Sequence, residues 1–239
     1  MKCLIVAAGQ GSRLREKGSS KPLVPLAGRP LIEHVVSRAR EGGATEFVVV
    51  DGWNGDALRA ALDPVAERDG FRLTWLRNER WDRANGVSVL RAREVLDGPF
   101  LLCMCDHVVD PGIVRTLIDA PAPAADTVTL GVDFDLRRPL NDPDDVTRVA
   151  CEDNRITRIG KSIERFDALD TGVFRCSPAM FDALDSAAVE GDDSISGAMN
   201  VLARWRRAYV ADIGARYWID VDDAVAHEKA EALLARGLL

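Results

Sequence analysis

Three stretches of this 239-residue chain gather side chains able to handle phosphate or a cation. The first is Ala7-Ala8-Gly9-Gln10-Gly11-Ser12-Arg13-Leu14. Small side chains let backbone amides come close to phosphate oxygens, and glycine accepts the backbone angles such a cradle needs. Arg13 adds a planar guanidinium suited to phosphate. The stretch has no Gly-Lys-Ser/Thr ending, and position 14 is Leu where a dinucleotide fingerprint needs a third glycine, so both of those sites are disfavoured. A ligand-free turn from strand to loop is the plain alternative. The second stretch is Lys21-Pro22-Leu23, ten residues after Gly11, where a returning chain brings a lysine toward the same phosphates. An isolated lysine before a rigid turn otherwise faces solvent. The third set is acidic: Asp106-His107, and Asp220-Val221-Asp222. Strand alternation puts Asp220 and Asp222 on one side, and two like charges facing together need a cation or water. Asp222 reads equally well as the N-cap of the last helix. Asp220 is the better ligand, and His107 is given a positioning role at most.

These residues need elements to hold them. The run Cys3-Leu4-Ile5-Val6-Ala7 is short and continuously apolar, as a strand buried on both faces should be, and it feeds the glycine-rich loop. Leu31, Ile32, Val35, Val36 and Ala39 recur at helical spacing until Gly42-Gly43, and Phe47–Val50 comes next as a second buried strand. Residues 56–67 predict a weaker helix around Pro64, 73–76 a short strand, and the apolar pattern Val87 to Leu96 a helix leading into a central strand, 100–104. Asp106 then falls at the carboxyl end of that strand, the edge where open α/β sheets bind ligands. Asp110-Pro111 starts a helix with its own cap, so Asp106 is not needed as one. Beyond residue 128 the pieces shorten: strands at 128–132, 146–151, 156–159 and 173–176 suit antiparallel additions to the sheet. Residues 137–145, polar with two prolines, predict a mobile surface loop. Helices at 178–184 and 196–205, strands at 209–212 and 217–221, and a terminal helix 223–235 complete the reading.

Hydrophobic content of 47% with 29% charged residues is ordinary globular composition. Size scaling hides roughly 27,000 of about 38,000 Å² on folding, enough for a substantial core. A single domain over 1–239 is expected. The formal charge of −7 disfavours a nucleic-acid partner, although a pocket on an acidic protein can still be basic. No window approaches 18 apolar residues and no signal-peptide profile precedes Gly9, so a cytoplasmic protein without a membrane span is expected. Five cysteines without a CxxC pair predict reduced, mostly buried thiols, with no disulfide and no zinc. The sequence leaves oligomeric state open, a homo-oligomer included.

The segments AAGQGSRL and SKPLVPLAGRPLIEHVV together resemble the signature of sugar-nucleotide pyrophosphorylases and related nucleotidylyltransferases. That resemblance implies an α/β fold with a Rossmann-like (GT-A-like), mostly parallel mixed sheet flanked by helices, a nucleoside triphosphate and a divalent metal, Mg²⁺. Nearly the whole chain also resembles the inositol-phosphate cytidylyltransferases, through Ala84–Leu90, Cys105–Val108, Ile159–Lys161, Phe166–Phe174 and Trp218–Asp222. By that resemblance, Ala7 to Ser12 cradle the nucleotide with Asn85, Gly86 and Ser88 near the nucleoside. Arg13 and Lys21 neutralise the triphosphate, Asp106 and Asp220, with Asp222 as a third candidate, hold Mg²⁺, and Lys161 meets the acceptor phosphate. Asp170 and Thr171 offer oxygens to acceptor hydroxyls. The implied substrates are CTP and a phosphorylated alcohol, most simply inositol phosphate. Phosphocholine, an aminoalkylphosphonate, or a sugar phosphate with another nucleoside triphosphate are the alternatives, and a glycosyltransferase or a silent nucleotide-binding protein on a similar sheet are rivals of other classes. Trp81 reads as packing rather than base stacking, and Trp218 is ambiguous in the same way.

Overall fold

The computed structural model describes residues 1–11, 14, 20–120, 124–138 and 140–239. The chain begins with β1 (Lys2–Val6), and after a 3-10 turn at Lys21–Leu23 two short strands, β2 (Pro25–Leu26) and β3 (Arg29–Pro30), pair antiparallel. Next come α1 (Leu31–Glu41), β4 (Glu46–Asp51), α2 (Gly55–Asp69) and β5 (Arg72–Arg77). Then α3 (Asn85–Leu90) leads to β6 (Phe100–Met104), β7 (His107–Val109) and α4 (Pro111–Asp119). The second half contains β8 (Val128–Asp133), β9 (Arg148–Glu152), β10 (Arg155–Gly160) and β11 (Ala168–Cys176). It ends with α5 (Ala179–Val189), α6 (Ile195–Arg204), β12 (Ala208–Asp212), β13 (Trp218–Asp220) and α7 (Ala224–Ala235).

Nine strands form one mixed sheet in the order β5-β4-β1-β6-β11-β8-β12-β10-β9. The first four run parallel, with Val6 of β1 in register with Met104 of β6. β11 turns antiparallel to both β6 and β8. β9 pairs with β10 and also meets β11 at Val149 and Arg148, which closes β11, β8, β12, β10 and β9 into a ring. The apolar runs are continuous because both faces are covered. On β1, Leu4 and Val6 join one buried cluster while Cys3 and Ile5 join the other. Each fully buried aliphatic of this kind contributes about 1.5–3 kcal/mol. A third cluster, including Leu26, Leu31, Val108, Ile219 and Leu233, fastens α7 to the side of the sheet.

Three expectations change. The helix predicted through Leu96 ends at Leu90, because Ala92 and Val95 donate to the carbonyls three residues back and tighten the chain into turns. The strand expected at 217–221 shortens to Trp218–Asp220 and pairs with β7 in a separate two-stranded ribbon. The described residues of 137–145, expected as a mobile surface loop, are exposed at 142–144 but anchored at 138 and 140: Arg138 donates to the Arg216 carbonyl at 2.5 Å and stands over the Tyr217 ring, and Lys229 donates to the Leu140 carbonyl at 3.1 Å. Cys3, Cys103, Cys105 and Cys176 are buried free thiols, with Cys151 half-buried. Among the described residues, no helix is long and apolar enough to cross a membrane.

Candidate active site

The parallel pairing of β1 and β6 puts two loops side by side at the carboxyl edge of the sheet, Ala8–Gly11 from one and Cys105–Asp106 from the other. The ribbon then brings in the rest: Asp220 stands opposite His107, and Val221 donates its N–H to the Asp106 carbonyl at 2.9 Å. Lys21 enters from the 3-10 turn, made rigid by Pro22. Gly11 has φ of +61°, and a Cβ there would lie 2.2 Å from the Lys21 Cβ, so the glycine is what admits the lysine stem.

Lys21 Nζ lies 2.5 Å from Asp106 Oδ2 and 3.6 Å from Asp220 Oδ1, and it donates to Asp222 Oδ1. Its side chain is only 9% exposed, so these contacts decide its charge. Burial works against the ammonium, but Asp106 and Asp220 outweigh it and hold the lysine above its ordinary pKa. Burial likewise opposes the Asp106 carboxylate, yet Lys21 and His107 pull it well below the usual range. Asp220 differs, because burial dominates there and raises it. His107 donates from Nδ1 to Asp106 Oδ1 at 2.7 Å, and although burial disfavours the imidazolium, Asp220 and Asp106 lift it to about 9. The ring is clamped on two sides. Trp218 stacks on it with centroids 6.0 Å apart, while a Cβ on Gly172 (φ +73°) would fall 2.5 Å from the ring. Trp218 itself is buried and donates Nε1–H to Asp133 at 2.9 Å, so it is a packing residue.

Three carboxylates therefore converge on one ammonium and one imidazole. Asp220 Oδ1 is buried and has no hydrogen-bond partner, and ligand atoms of Asp106, His107 and Asp220 all lie within 4.8 Å of one another. Carboxylate oxygens held together in this way suit a hard divalent cation such as Mg²⁺, and Asp222 adds a third carboxylate beside them. The cap of α7 is Asp223, whose carboxylate accepts from the Ala226 N–H at 2.7 Å. Asp222 is thus not the cap, and its carboxylate joins the cluster.

Two pockets adjoin this cluster. One, of about 350 Å³, is lined by Ala8, Gly9, Gly11, Lys21, Asn85 and Ser88, together with Trp81 and Arg83. Ala7 is buried behind it and donates to the Val50 carbonyl at 2.9 Å, which extends the strand. Gln10 is half-buried beside the loop. Ser12 and Arg13 lie outside the described residues, so their assignments receive no placement. Asn85 faces the pocket while Oδ1 accepts from the Ile195 N–H at 2.9 Å. Ser88 Oγ accepts from Asn78 at 2.9 Å. Gly86, assigned to the nucleoside by resemblance, instead packs on the loop before α6, where a Cβ would meet the Asp193 carbonyl at 2.4 Å. Trp81, expected as a packing residue, is half-buried on the pocket wall and packs edge-on to Trp53 at 5.0 Å.

The second pocket, of about 260 Å³, is lined by Asp106, His107, Asp220 and Asp222 on one side and by Asn141, Asp145, Lys161 and Asp170 on the other. Lys161 pairs with Asp145 and is 55% exposed. Asp170 accepts from the Gly172 N–H at 2.7 Å, but burial prevails and raises its carboxyl to about 6. Thr171 is not brought into the site: it is fully buried, and its hydroxyl donates to the Gly131 carbonyl at 2.8 Å on the opposite side of the strand. Alternation along β11 forces neighbours apart in this way, while Asp170, Gly172 and Phe174 share the pocket face. Sequence reasoning missed Asn141, Asp142, Asp145 and Arg83. Arg83 is held toward the first pocket by Asp193 at 2.8 Å, a partner 110 residues away that leaves no local signal.

Residues 3–207 match the model of the MobA-like NTP transferase domain. The chain belongs to that family. The family accounts for what the geometry presents, a glycine-bearing loop and a carboxylate cluster between two pockets. Among curated relatives, a bifunctional IPC transferase and DIPP synthase from Rubrobacter xylanophilus is 34% identical over 91% of this chain and 48% of its own length. A protein of the same name from Aquifex aeolicus is 25% identical over 98% of the chain and 51% of its own length. The chain thus spans about half the length of the curated relatives it matches. The fold is shared with the inositol-1-phosphate CTP transferase from T. maritima, at a TM-score of 0.84 and 22% identity over 100% of this chain and 97% of that one. A UDP-glucose pyrophosphorylase solved with UDP-glucose aligns at a TM-score of 0.79 and 18% identity, over 99% of this chain and 98% of that one. Nucleotidyltransferases generally use a divalent metal, and the cluster of Asp106, His107 and Asp220 offers a place for one.

Proposed function

We propose that this MobA-like domain is a cytidylyltransferase that joins CTP to inositol phosphate and releases pyrophosphate. The reading rests on one observation: two pockets of different chemistry meet at the carboxylate cluster, sharing Asn85, Met104, Asp106 and Asp222. The first pocket suits a nucleotide, with a small-residue loop at the phosphate end and Trp81 farther along. The second suits a phosphorylated polyol, because Lys161 can receive a phosphate and Asp170, Asp142 and Asp145 can accept hydrogen bonds from hydroxyls. The relatives named as IPC transferases support the choice of acceptor.

In this reading an oxygen of the acceptor phosphate attacks the α-phosphorus of CTP in line. The new P–O bond forms as the bond to the oxygen bridging to the β-phosphate breaks, and the electron pair leaves with pyrophosphate. No covalent enzyme intermediate is needed, since the acceptor oxygen is itself an adequate nucleophile and the protein's work is positioning and charge neutralisation. Lys21 turns from Asp222 toward the phosphates and stabilises the departing pyrophosphate, together with Arg13. Lys161 exchanges Asp145 for the acceptor phosphate. Asp106, Asp220 and Asp222 would hold Mg²⁺, which would supply further neutralisation of phosphate charge when bound. His107, locked between Trp218 and Gly172, keeps Asp106 ionised and aimed.

A second reading has one observation in its favour: the acidic wall of Asp142, Asp145 and Asp170 also suits an amine-bearing acceptor. A CMP-5'-(3-aminopropyl)phosphonate synthase from Streptomyces rubellomurinus is 34% identical over 52% of this chain and 20% of its own length. Pyrophosphate release measured with each nucleoside triphosphate against inositol phosphate, phosphocholine and aminoethylphosphonate separates the readings. Highest kcat/KM for CTP with inositol phosphate is expected. A preference for an aminated acceptor removes the polyol, and a preference for UTP with a sugar phosphate removes the cytidylyl group as well.

A further inference from the structure

We infer that Asn141 is a specificity-determining residue that contacts the acceptor through one end of its amide and positions the metal-binding strand through the other. This rests on the cytidylyltransferase reading for the identity of the acceptor, while its positioning half stands on geometry alone. Asn141 Oδ1 accepts the backbone N–H of Asp220 at 2.9 Å. Because a backbone N–H can only donate, the atom facing it is the amide oxygen, which fixes the orientation of the group. The Nδ2 end therefore points elsewhere, and no protein acceptor holds it among the described residues. Asn141 lines the acceptor pocket alongside Asp142, Asp145 and Asp170.

That neighbourhood gives the amide nitrogen a task. Carboxylates accept hydrogen bonds but do not donate them, so the aspartates of this wall satisfy the proton of a hydroxyl and leave its oxygen lone pairs to donors elsewhere on the lining. Nδ2 of Asn141 supplies one. An acceptor bearing hydroxyls is then gripped from both sides, whereas a trimethylammonium group gains nothing from the amide.

The other end acts on the metal ligands. Asp220 contributes the buried oxygen that lacks a hydrogen-bond partner, and the N–H of the same residue is the one Asn141 fixes. Around that bond the loop is tied to the neighbourhood of Asp220 twice more, by Arg138 to the Arg216 carbonyl and by Lys229 to the Leu140 carbonyl. Acceptor loop and carboxylate strand consequently move as a unit.

Two variants divide the roles. Asn141→Asp keeps an oxygen for the Asp220 N–H and deletes the donor; Asn141→Ala deletes both. Loss of an ordinary hydrogen bond predicts about a tenfold rise in the KM for inositol phosphate in each variant, with the KM for CTP changed less than about threefold. Mn²⁺ titrated by calorimetry without nucleotide should bind Asn141→Ala about threefold more weakly, and Asn141→Asp at least as tightly as the parent. An unchanged KM for inositol phosphate in Asn141→Asp overturns the acceptor contact. Unchanged Mn²⁺ affinity in folded Asn141→Ala overturns the positioning role. Should the parent turn over no polyol phosphate with any nucleotide, the cytidylyltransferase reading and the acceptor contact fail together, and the Mn²⁺ titration still decides the positioning role.

Discussion

The two lysines assigned to phosphate sit in opposite surroundings. Lys21 is buried, fixed by a proline turn and a glycine contact, and faces three carboxylates. Lys161 comes just after the end of β10, is more than half exposed, and has one carboxylate partner described. The contrast extends to the regions that carry them. On the Lys21 side the charged groups come from strand ends that are hydrogen-bonded neighbours, so their spacing is set by the sheet. On the Lys161 side they come from the anchored loop and the ring of antiparallel strands, joined through side chains. A preorganised, dehydrated charge does most for a transition state, because nothing has to rearrange when the reaction occurs. An exposed one mainly captures and orients. On the proposed function, the first region would serve the chemistry and the second the selection of the acceptor.

The largest effect is expected at Lys21. Lys21→Met should lower kcat/KM by at least about a hundredfold, with most of the loss in kcat, the scale of one removed transition-state donor. Lys161→Met should instead raise the KM for the acceptor by about tenfold and leave kcat within a few-fold, as loss of uniform binding does. If both variants act on KM alone, the contrast between the regions collapses.

Asp170 sharpens the comparison through pH. Its folded-state carboxyl is raised by burial to about 6, above its ordinary value near 4, so ionising it works against the fold. Its favourable share is complete below about pH 4 and is lost as pH rises through about 6. Asp170→Asn should therefore gain in Tm relative to the parent as pH goes from 4 to 7. It should also lose turnover of inositol phosphate while CTP binding persists. A Tm difference independent of pH would place the Asp170 carboxyl in water and outside the selecting wall.

The smallest effect separates adjacent aspartates. Asp223→Ala removes a helix cap and should cost about 1 kcal/mol of stability with catalysis kept. Asp222→Asn should leave stability near that of the parent and reduce turnover. The reverse pattern would return Asp222 to the role of a cap.

The same contrast explains what the sequence revealed. Lys2–Val6, Phe47–Val50 and Phe100–Met104 are apolar runs whose burial on both faces is written in composition, and Asp106 could be placed from the last of them. The strand at 217–221 was legible, but β7 has only three residues and lies more than a hundred positions away, so the pairing that joins Asp220 to His107 left no local trace. The loop at 137–145 reads as polar because it is polar, but its anchoring depends on contacts to Arg216, Asp220 and Lys229 that are set by tertiary structure. The choice between Asp222 and Asp223 as cap turned on one residue's extended backbone, φ −140° at Asp223. The displacement of Thr171 was legible, since strand alternation alone sends it away from the face that holds Asp170.

The ring of five strands also bears on which strand edges of the sheet stay open. An unpaired strand edge is a template for intermolecular pairing and aggregation. β9 would present one, yet β11 meets its first part and Asp167 covers the next, accepting the Cys151 N–H at 2.9 Å and donating its own N–H to the Val149 carbonyl at 2.9 Å. That leaves β5 as the open edge of the nine-stranded sheet. It is short and bounded by arginines, with Arg72 tied to Glu46 and Arg77 to Asp51 and Asp56, while Arg59 covers the Trp75 ring. A second β5 laid alongside would bring arginine against arginine near each end. Guarding that edge therefore falls to a few cations on one strand, and neutralising Arg72 and Arg77 together would remove that guard.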